Sequence, residues 1–330
     1  MGRFGSCALA ALSAGLLLSA CGSNGTVSPG SGGNPGSCGN GTTTGSGGAP
    51  SVGSSGGQPG QDAPSLGDAA GSGGGSPGDG AAAESPGDTG GTSCPGGALL
   101  CDGFESYAAP ADLTAAWKTT ATAATVTVDA TKAFAGTRAL HIKAAAGTPS
   151  GVIIKEGAPL FPIAGNVMWG RMMMWLTATP AGGYHWNTIQ AAGTVPGTTQ
   201  WGKYGWGGQA GKVLAGYTLR NDPAGSAIMD CSKPSAMAFP DQRWVCVEWQ
   251  FDGNKNEMHM WFDGTLLADA DIIGKGTRCV NGGDLAKPWT GPTFANLTLG
   301  WQQYQASSGA LELWLDEVAV GAQRVGCPRP

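Results

Sequence analysis

Charged side chains are scarce in this chain, and basic ones are missing from a long part of it. Asp, Glu, Lys and Arg make up 12% of the 330 residues. Residues 22–93 contain five acidic side chains and no Lys or Arg, whereas residues 94–330 carry 17 basic and 18 acidic side chains and are close to neutral. Because binding to phosphates needs a basic surface, this distribution argues against nucleic acid as a partner.

Aromatic residues are also absent from residues 22–93, where Gly, Ser, Pro, Ala and Thr dominate. Such a composition cannot bury enough apolar surface to offset the entropy cost of an ordered backbone, so we predict that residues 21–93 form a disordered tether. A Gly/Ser-rich coil of this length spans about 45 Å. Cys38 lies within the tether, either unpaired or in an intermolecular bridge.

The uncharged stretch at residues 7–20 is shorter than the roughly 20 residues of a membrane-spanning helix but matches the apolar region of a signal peptide. The "LSAC" tetrapeptide ending at Cys21 resembles the lipobox of bacterial lipoproteins. This resemblance implies that residues 1–20 are removed and that the lipid on Cys21 is the only contact with the membrane of the cell envelope. An aspartate directly after the lipidated cysteine would favour retention in the inner membrane. The chain has Gly22 at that position, which favours the outer membrane. The alternative is an ordinary secretory signal with an incidental cysteine.

Six cysteines lie in residues 94–330, namely Cys94, Cys101, Cys231, Cys246, Cys279 and Cys327. An even number in an exported domain predicts three disulfides, although six cysteines allow 15 pairings. Proximity along the chain favours Cys94–Cys101 and Cys231–Cys246, which leaves Cys279–Cys327 to fix the C-terminus. A zinc site is disfavoured because the sequence contains no CxxC pair.

No segment shows sustained helical periodicity between capping residues, and strand patterns recur instead. "RWVCVEWQFD" alternates, which places Val245, Val247, Trp249 and Phe251 inward. Asp263-Gly264 then separates two strand-like runs and predicts a tight hairpin. Residues 94–330 are therefore predicted to form one all-β domain, a sandwich or a barrel.

The order of "CDGFES", "KAFAGTRALHIKA", "MHMWFDGTLL" and "LELWLDEVAVG" resembles the concanavalin-A/laminin-G type of jelly-roll β-sandwich. Within that superfamily, the chain is most similar to the glucuronan-lyase-like group, which includes cellulose-induced fungal secreted proteins. The resemblance covers residues 101–322.

The resemblance implies a structural calcium ion held by the carboxylates of Glu105 and Asp316 and by carbonyl oxygens of the loop at residues 132–136. Calcium takes six to eight oxygen ligands and accepts such mixed donors. The alternative is that Glu105 and Asp316 are ordinary solvated strand residues.

The resemblance also implies chemistry on uronate sugars. In lyases of this fold, an amide and an arginine neutralise the uronate carboxylate, a histidine or tyrosine removes the neighbouring proton, and a tyrosine protonates the leaving oxygen. The matching residues here are Arg171, His185, Asn187 and Tyr304. The alternative is that these residues bind sugar without chemistry. Hydrolysis is disfavoured because the middle strands contain no cluster of paired carboxylates.

Sugar binding is also suggested by "TTQWGKYGWGGQAG", in which Trp201, Tyr204 and Trp206 alternate with glycine in a predicted loop. Flat aromatic rings stack on sugar faces. Gln302 precedes Tyr304 on one face of a late strand and is a further candidate. The sequence thus predicts a surface-anchored, monomeric polysaccharide-binding protein that is a lyase if it is catalytic. The alternative is a non-catalytic protein-interaction module of the laminin-G type.

Overall fold

Strands dominate the part of the chain that this computed structural model describes, residues 94–280 and 287–328. The predicted signal segment and tether, with Cys21 and Cys38, lie outside the described residues. The strands are β1 (Ala98–Asp102), β2 (Lys118–Thr122), β3 (Ala124–Asp129), β4 (Ala139–Ala144), β5 (Ser150–Glu156), β6 (Val167–Leu176), β7 (His185–Thr194), β8 (Trp201–Gln209), β9 (Lys212–Arg220), β10 (Ala227–Ala238), β11 (Val245–Asp252), β12 (Glu257–Phe262), β13 (Thr265–Leu266), β14 (Ile272–Ile273), β15 (Arg278–Val280), β16 (Thr293–Gln303) and β17 (Leu311–Gly321).

These strands form two antiparallel sheets that pack as a sandwich. The first, which we call the back sheet, has the order β13-β12-β11-β6-β17-β4-β3, with β1 on β17 and β14 on β12. The second, the front sheet, has the order β15-β10-β9-β8-β7-β16-β5-β2. The predicted all-β jelly-roll sandwich is confirmed.

The core lies between the two sheets and follows the alternation of the strands. On β11, all four residues predicted to face inward are almost fully buried. On the front sheet, Trp186 and Trp301 stack with ring centroids 5.2 Å apart. Burying one large apolar side chain contributes about 1.5–3 kcal/mol, so this continuous core is the main source of stability.

The predicted hairpin at Asp263-Gly264 is confirmed. Phe262 of β12 pairs with Thr265 of β13, so the turn has two residues. Asp263 has φ 49° and Gly264 has φ 80°. Two successive positive φ angles match the twist of the flanking strands, and Asp-Gly tolerates them.

One short helix, α1 (Pro110–Ala116), was missed because seven residues are too few to show a helical period. Asp112 Oδ2 accepts a hydrogen bond from the Ala109 N–H (2.8 Å) at its start, and Leu113 and Trp117 enter the core. One 3₁₀ turn spans Ala164–Asn166. Within the described ranges, no helix combines the length and the apolar character needed to cross a bilayer.

The structure confirms three disulfides but only one of the predicted pairings, Cys94–Cys101. The predicted Cys231–Cys246 and Cys279–Cys327 bridges are wrong, because the bonds are Cys231–Cys279 and Cys246–Cys327. Cys231 lies on β10 of the front sheet and Cys246 on β11 of the back sheet. Their closeness in the sequence therefore does not make them partners. Strand register decides instead, since Cys231 lies directly opposite Cys279 of β15.

Candidate functional site

A pocket of about 430 Å³ opens on the outer face of the front sheet. Its floor is low because β8 and β9 contribute Gly205 and Gly216, which pair with each other and face the pocket. A Cβ added at Gly205 would lie 2.9 Å from Asn187 Nδ2, so even alanine would press on that amide. Glycine in a strand commonly marks a place where another group approaches the backbone. The pocket is therefore a trough formed by missing side chains.

Asn187, Lys203 and Tyr304 line this pocket, and Gln302 contacts Tyr304. We call these four side chains the Tyr304 cluster. The Tyr304 oxygen accepts hydrogen bonds from Asn187 Nδ2 (3.0 Å) and Lys203 Nζ (3.0 Å). Because an ammonium can only donate, the Tyr304 O–H is left to donate to Gln302 Oε1 (2.9 Å). A phenolic oxygen next to a cation and an amide donor is suited to carrying negative charge during a reaction.

His185 lies against this cluster. Its ring stacks on Tyr304 with centroids 4.6 Å apart and 28° between the planes. Its backbone N–H donates to Gln305 Oε1 (2.7 Å). Burial lowers the pKa of His185; Lys203 lowers it further, while Asp230 and the Gln305 hydrogen bond oppose the shift. The imidazole is therefore neutral at neutral pH and able to accept a proton. The structure brings together three of the four predicted catalytic residues, namely His185, Asn187 and Tyr304.

Arg171, the fourth, is not part of this site. It lies on β6 of the back sheet, and its side chain is 5% exposed. Its Nε donates to the Glu317 carbonyl oxygen (3.2 Å), and Nη2 lies 3.6 Å from Glu317 Oε2. Strands β6 and β7 are consecutive in the chain but belong to different sheets, so their succession did not indicate proximity.

The predicted aromatic loop is also wrong, because Trp201, Tyr204 and Trp206 belong to β8. Tyr204 and Trp206 face the core and are fully buried, and the Tyr204 O–H donates to the Trp289 carbonyl oxygen (2.7 Å). Trp201 is half-buried and shares the outward face with Lys203. Period-two alternation along β8, had it been applied, would have placed Lys203 in the pocket and the two buried rings in the core.

Gln302 lies where the sequence placed it. Beyond its contact with Tyr304, its Oε1 accepts a hydrogen bond from Gln190 Nε2 (2.9 Å). Sequence reasoning missed three further charged residues that line the pocket, Arg220, Asp230 and Arg278. No motif links them, since they come from β9, β10 and β15.

Comparison with known proteins agrees with this architecture. Residues 103–323 match the family described as "Polysacc_lyase-like: Cip1-like, core domain". The chain belongs to this family. The match confirms the resemblance noted over residues 101–322. Among curated proteins, none matches the chain.

The Cip1-like domain is also similar to solved structures. One is "Cellulose induced protein, Cip1", with 18% identity, a TM-score of 0.49, and coverage of 69% of this chain and 100% of that one. Another is the botulinum neurotoxin serotype D/C VPI 5993 binding domain, with 10% identity and a TM-score of 0.37. That match covers 62% of this chain and 44% of the neurotoxin structure, so the chain spans less than half of it.

On the back sheet of this Cip1-like domain, the two predicted calcium ligands meet one loop. Asp316 is fully buried, and its Oδ2 accepts hydrogen bonds from the N–H groups of Phe134 (2.8 Å) and Ala135 (3.1 Å). Glu105 Oε1 accepts from the N–H groups of Thr137 and Arg138, both at 2.8 Å. The loop at residues 134–138 thus joins both carboxylates, although it presents amide N–H groups to them and not the predicted carbonyl oxygens.

Asp316 is a buried carboxylate whose observed partners are backbone N–H groups. Burial raises the pKa of Asp316 to about 7, although backbone N–H groups, including those of Ala135 and Phe134, oppose the shift. Among the described residues, no cationic side chain forms an ion pair with Asp316. A buried carboxylate without a cationic partner is costly when ionised, and a hard divalent cation would offset that cost.

Proposed function

We propose that this protein binds an acidic polysaccharide in the front-sheet pocket and cleaves it by β-elimination. The observation that carries the proposal is the Tyr304 cluster with neutral His185 stacked against it. In this arrangement His185 can accept a proton. The negative charge that would develop on the Tyr304 oxygen is offset by the hydrogen bonds from Lys203 and Asn187. Lys203 supplies the positive charge that the sequence assigned to Arg171, because its ammonium has donors to spare beyond the one directed at Tyr304.

In this proposal the uronate carboxylate lies against Asn187 and Lys203, which makes the proton on the adjacent carbon more acidic. His185 takes that proton. The electron pair left on carbon forms a double bond to the next carbon as the bond to the glycosidic oxygen breaks. Tyr304 gives its proton to the departing oxygen, and the imidazolium returns a proton to the phenolate. No atom is added, and the protein ends as it began.

Hydrolysis is less well supported. A retaining or an inverting glycosidase uses two carboxyl groups that flank the scissile bond. Asp230 is the one carboxylate among the described residues that line the pocket. Glu248, the buried glutamate of β11, instead pairs with Arg324 on the back sheet.

The experiment incubates the full chain with a panel of polyuronates and neutral glucans and follows the ultraviolet absorbance of unsaturated uronate products. We expect absorbance from at least one polyuronate and its loss in His185→Ala and in Tyr304→Phe. His259→Ala is the matched control, since His259 lies on β12 of the back sheet beside Asp271. Binding without product would leave a carbohydrate-binding domain. Neither binding nor product from any polysaccharide would favour the protein-interaction alternative.

We further propose that Ca²⁺ is held by Glu105 and Asp316 as a structural ion that fixes the 134–138 loop to the back sheet. We also propose, from the resemblance of "LSAC" to a lipobox, that Cys21 is lipidated and tethers the domain to the cell envelope. Detergent-phase partition of the wild type but not of Cys21→Ser would be the expected result for the lipid.

A further inference from the structure

Three cationic side chains line the front pocket, and two of them are already engaged. Lys203 Nζ donates to the Tyr304 oxygen at 3.0 Å and lies 5.3 Å from the centre of that ring. Arg220 Nη1 donates to the Gly225 carbonyl oxygen at 3.0 Å. The third, Arg278, is exposed, and no hydrogen-bond or ion-pair partner meets its guanidinium among the described residues. Lys203 keeps donors to spare for the reacting sugar, and Arg278 is the pocket cation that makes no such contact with the described residues.

Strand register shows where Arg278 stands. It lies directly opposite Ser232 of β10, which lies opposite Gly216 of β9, which in turn lies opposite Gly205 of β8. Residues in one such row share one face of the sheet. Because two members of the row are glycines, only backbone and the small side chain of Ser232 separate Arg278 from the Tyr304 cluster along the trough. The next residue of the row is Gln190 of β7, which contacts that cluster.

The distance along this row decides which sugar Arg278 meets. Arg278 and Gly205 are three strands apart, which corresponds to about 14 Å between their backbones at ordinary strand spacing. An arginine side chain reaching along the trough covers only part of that distance. Its guanidinium therefore meets the sugar next to the reacting one and not the sugar held by Asn187 and Lys203.

The edge strand that carries Arg278 is held in place covalently. Strand β15 has three residues, which is the short end of the usual range of strand lengths. Cys279, the residue after Arg278, is bonded to Cys231 of β10, and the Thr277 N–H donates to the Ser232 carbonyl oxygen at 3.2 Å just before the strand. The disulfide thus pins the backbone on which Arg278 stands.

We propose that Arg278 forms a second carboxylate subsite, which binds the uronate adjacent to the reacting one, and that the Cys231–Cys279 disulfide holds this subsite in position. The proposal rests on the proposed function and adds to it a preference for polymers with consecutive uronates. A guanidinium binds a carboxylate through two parallel hydrogen bonds, which an amide or an ammonium cannot reproduce.

The test compares three ligands at matched ionic strength: a polymer of consecutive uronates, one in which uronate alternates with a neutral sugar, and the carboxyl-reduced polymer. The full chain is measured by calorimetry as wild type, Arg278→Gln, Arg278→Lys and the control Arg243→Gln, whose side chain pairs with Asp263 at an exposed site on the back sheet. We expect Arg278→Gln to weaken binding of the consecutive polymer by about tenfold and to leave the alternating polymer nearly unchanged. Arg278→Lys should restore part of the loss.

Equal affinity of wild type and Arg278→Gln for the consecutive polymer would overturn the subsite while leaving the proposed function in place. An equal loss on the alternating polymer would also overturn it, because Arg278 would then serve the reacting sugar. Failure of the wild type to bind any uronate polymer would overturn both proposals.

The role of the disulfide is tested with the double variant Cys231→Ser/Cys279→Ser. We expect this variant to lose the preference for the consecutive polymer. Its affinity for the alternating polymer should stay as in the wild type, which would show that the rest of the pocket is intact. A preference as strong as that of the wild type would overturn the positional role of the disulfide.

Discussion

Glu248 lies beneath the C-terminal segment, and replacing it with glutamine should destabilise the domain strongly. Its side chain is 1% exposed and accepts two hydrogen bonds from Arg324, from Nε at 3.0 Å and from Nη2 at 2.7 Å. The Gly326 N–H adds a third at 3.1 Å. Breaking a buried ion pair from one side costs about 3–5 kcal/mol. Because the side chain of Arg324 is 40% exposed and can be rehydrated, we expect about 2–3 kcal/mol for Glu248→Gln.

The assay is thermal or denaturant unfolding of the full chain, with Arg243→Gln as the matched control. Arg243 and Asp263 also lie 2.8 Å apart, but their side chains are 56% and 48% exposed, so their pairing contributes under about 1 kcal/mol. For a domain of this size, 1 kcal/mol shifts the melting temperature by about 2–4 °C. Glu248→Gln should therefore lower it by about 5–10 °C. Equal shifts in the two variants would refute the reasoning that burial decides the contribution.

Three further predictions concern the pocket, the core and the metal. Burial lowers the pKa of His185, so its imidazole stays neutral into mildly acidic conditions. We therefore expect kcat/KM to fall only as the pH drops through a value below 6.5. A midpoint above 6.5 would contradict the assignment of His185 as the base. Trp206→Ala should lower the free energy of unfolding, measured with denaturant, by about 3–5 kcal/mol, and Trp201→Ala by under about 1 kcal/mol. Similar losses in the two variants would contradict the placement of Trp206 in the core and Trp201 on the outward face. Added Ca²⁺ should raise the melting temperature of the wild type but not of Asp316→Asn, and an equal rise in both would exclude Asp316 as a ligand.

The fold was predictable because strand alternation and turn chemistry are local properties. The inward residues of β11 repeat at the two-residue period, and Asp263-Gly264 supplies the positive φ angles of a tight hairpin. The pattern of β8 carried the same information. The glycines between its aromatic rings suggested a loop, whereas Gly205 lines the trough of the pocket and Gly202 lies close to the side chain of Val195.

The candidate site was predictable only where its residues lie on strands that become neighbours in one sheet. His185 and Asn187 on β7 meet Tyr304 because β7 pairs with β16. Arg171 comes earlier on the preceding strand but belongs to the other sheet. Arg278 reaches the pocket through the pairing of β10 with β15, a contact between distant parts of the chain that no local pattern reveals.

The central claim is that the pocket around His185 and Tyr304 breaks a glycosidic bond without water. The measurement that tests it most directly is mass spectrometry of the products released from a polyuronate by the full chain in water enriched in heavy oxygen. Elimination predicts products with an unsaturated end and no heavy oxygen, and their disappearance in His185→Ala. Heavy oxygen incorporated at the cleaved bond, or no product from any polyuronate, would contradict the claim.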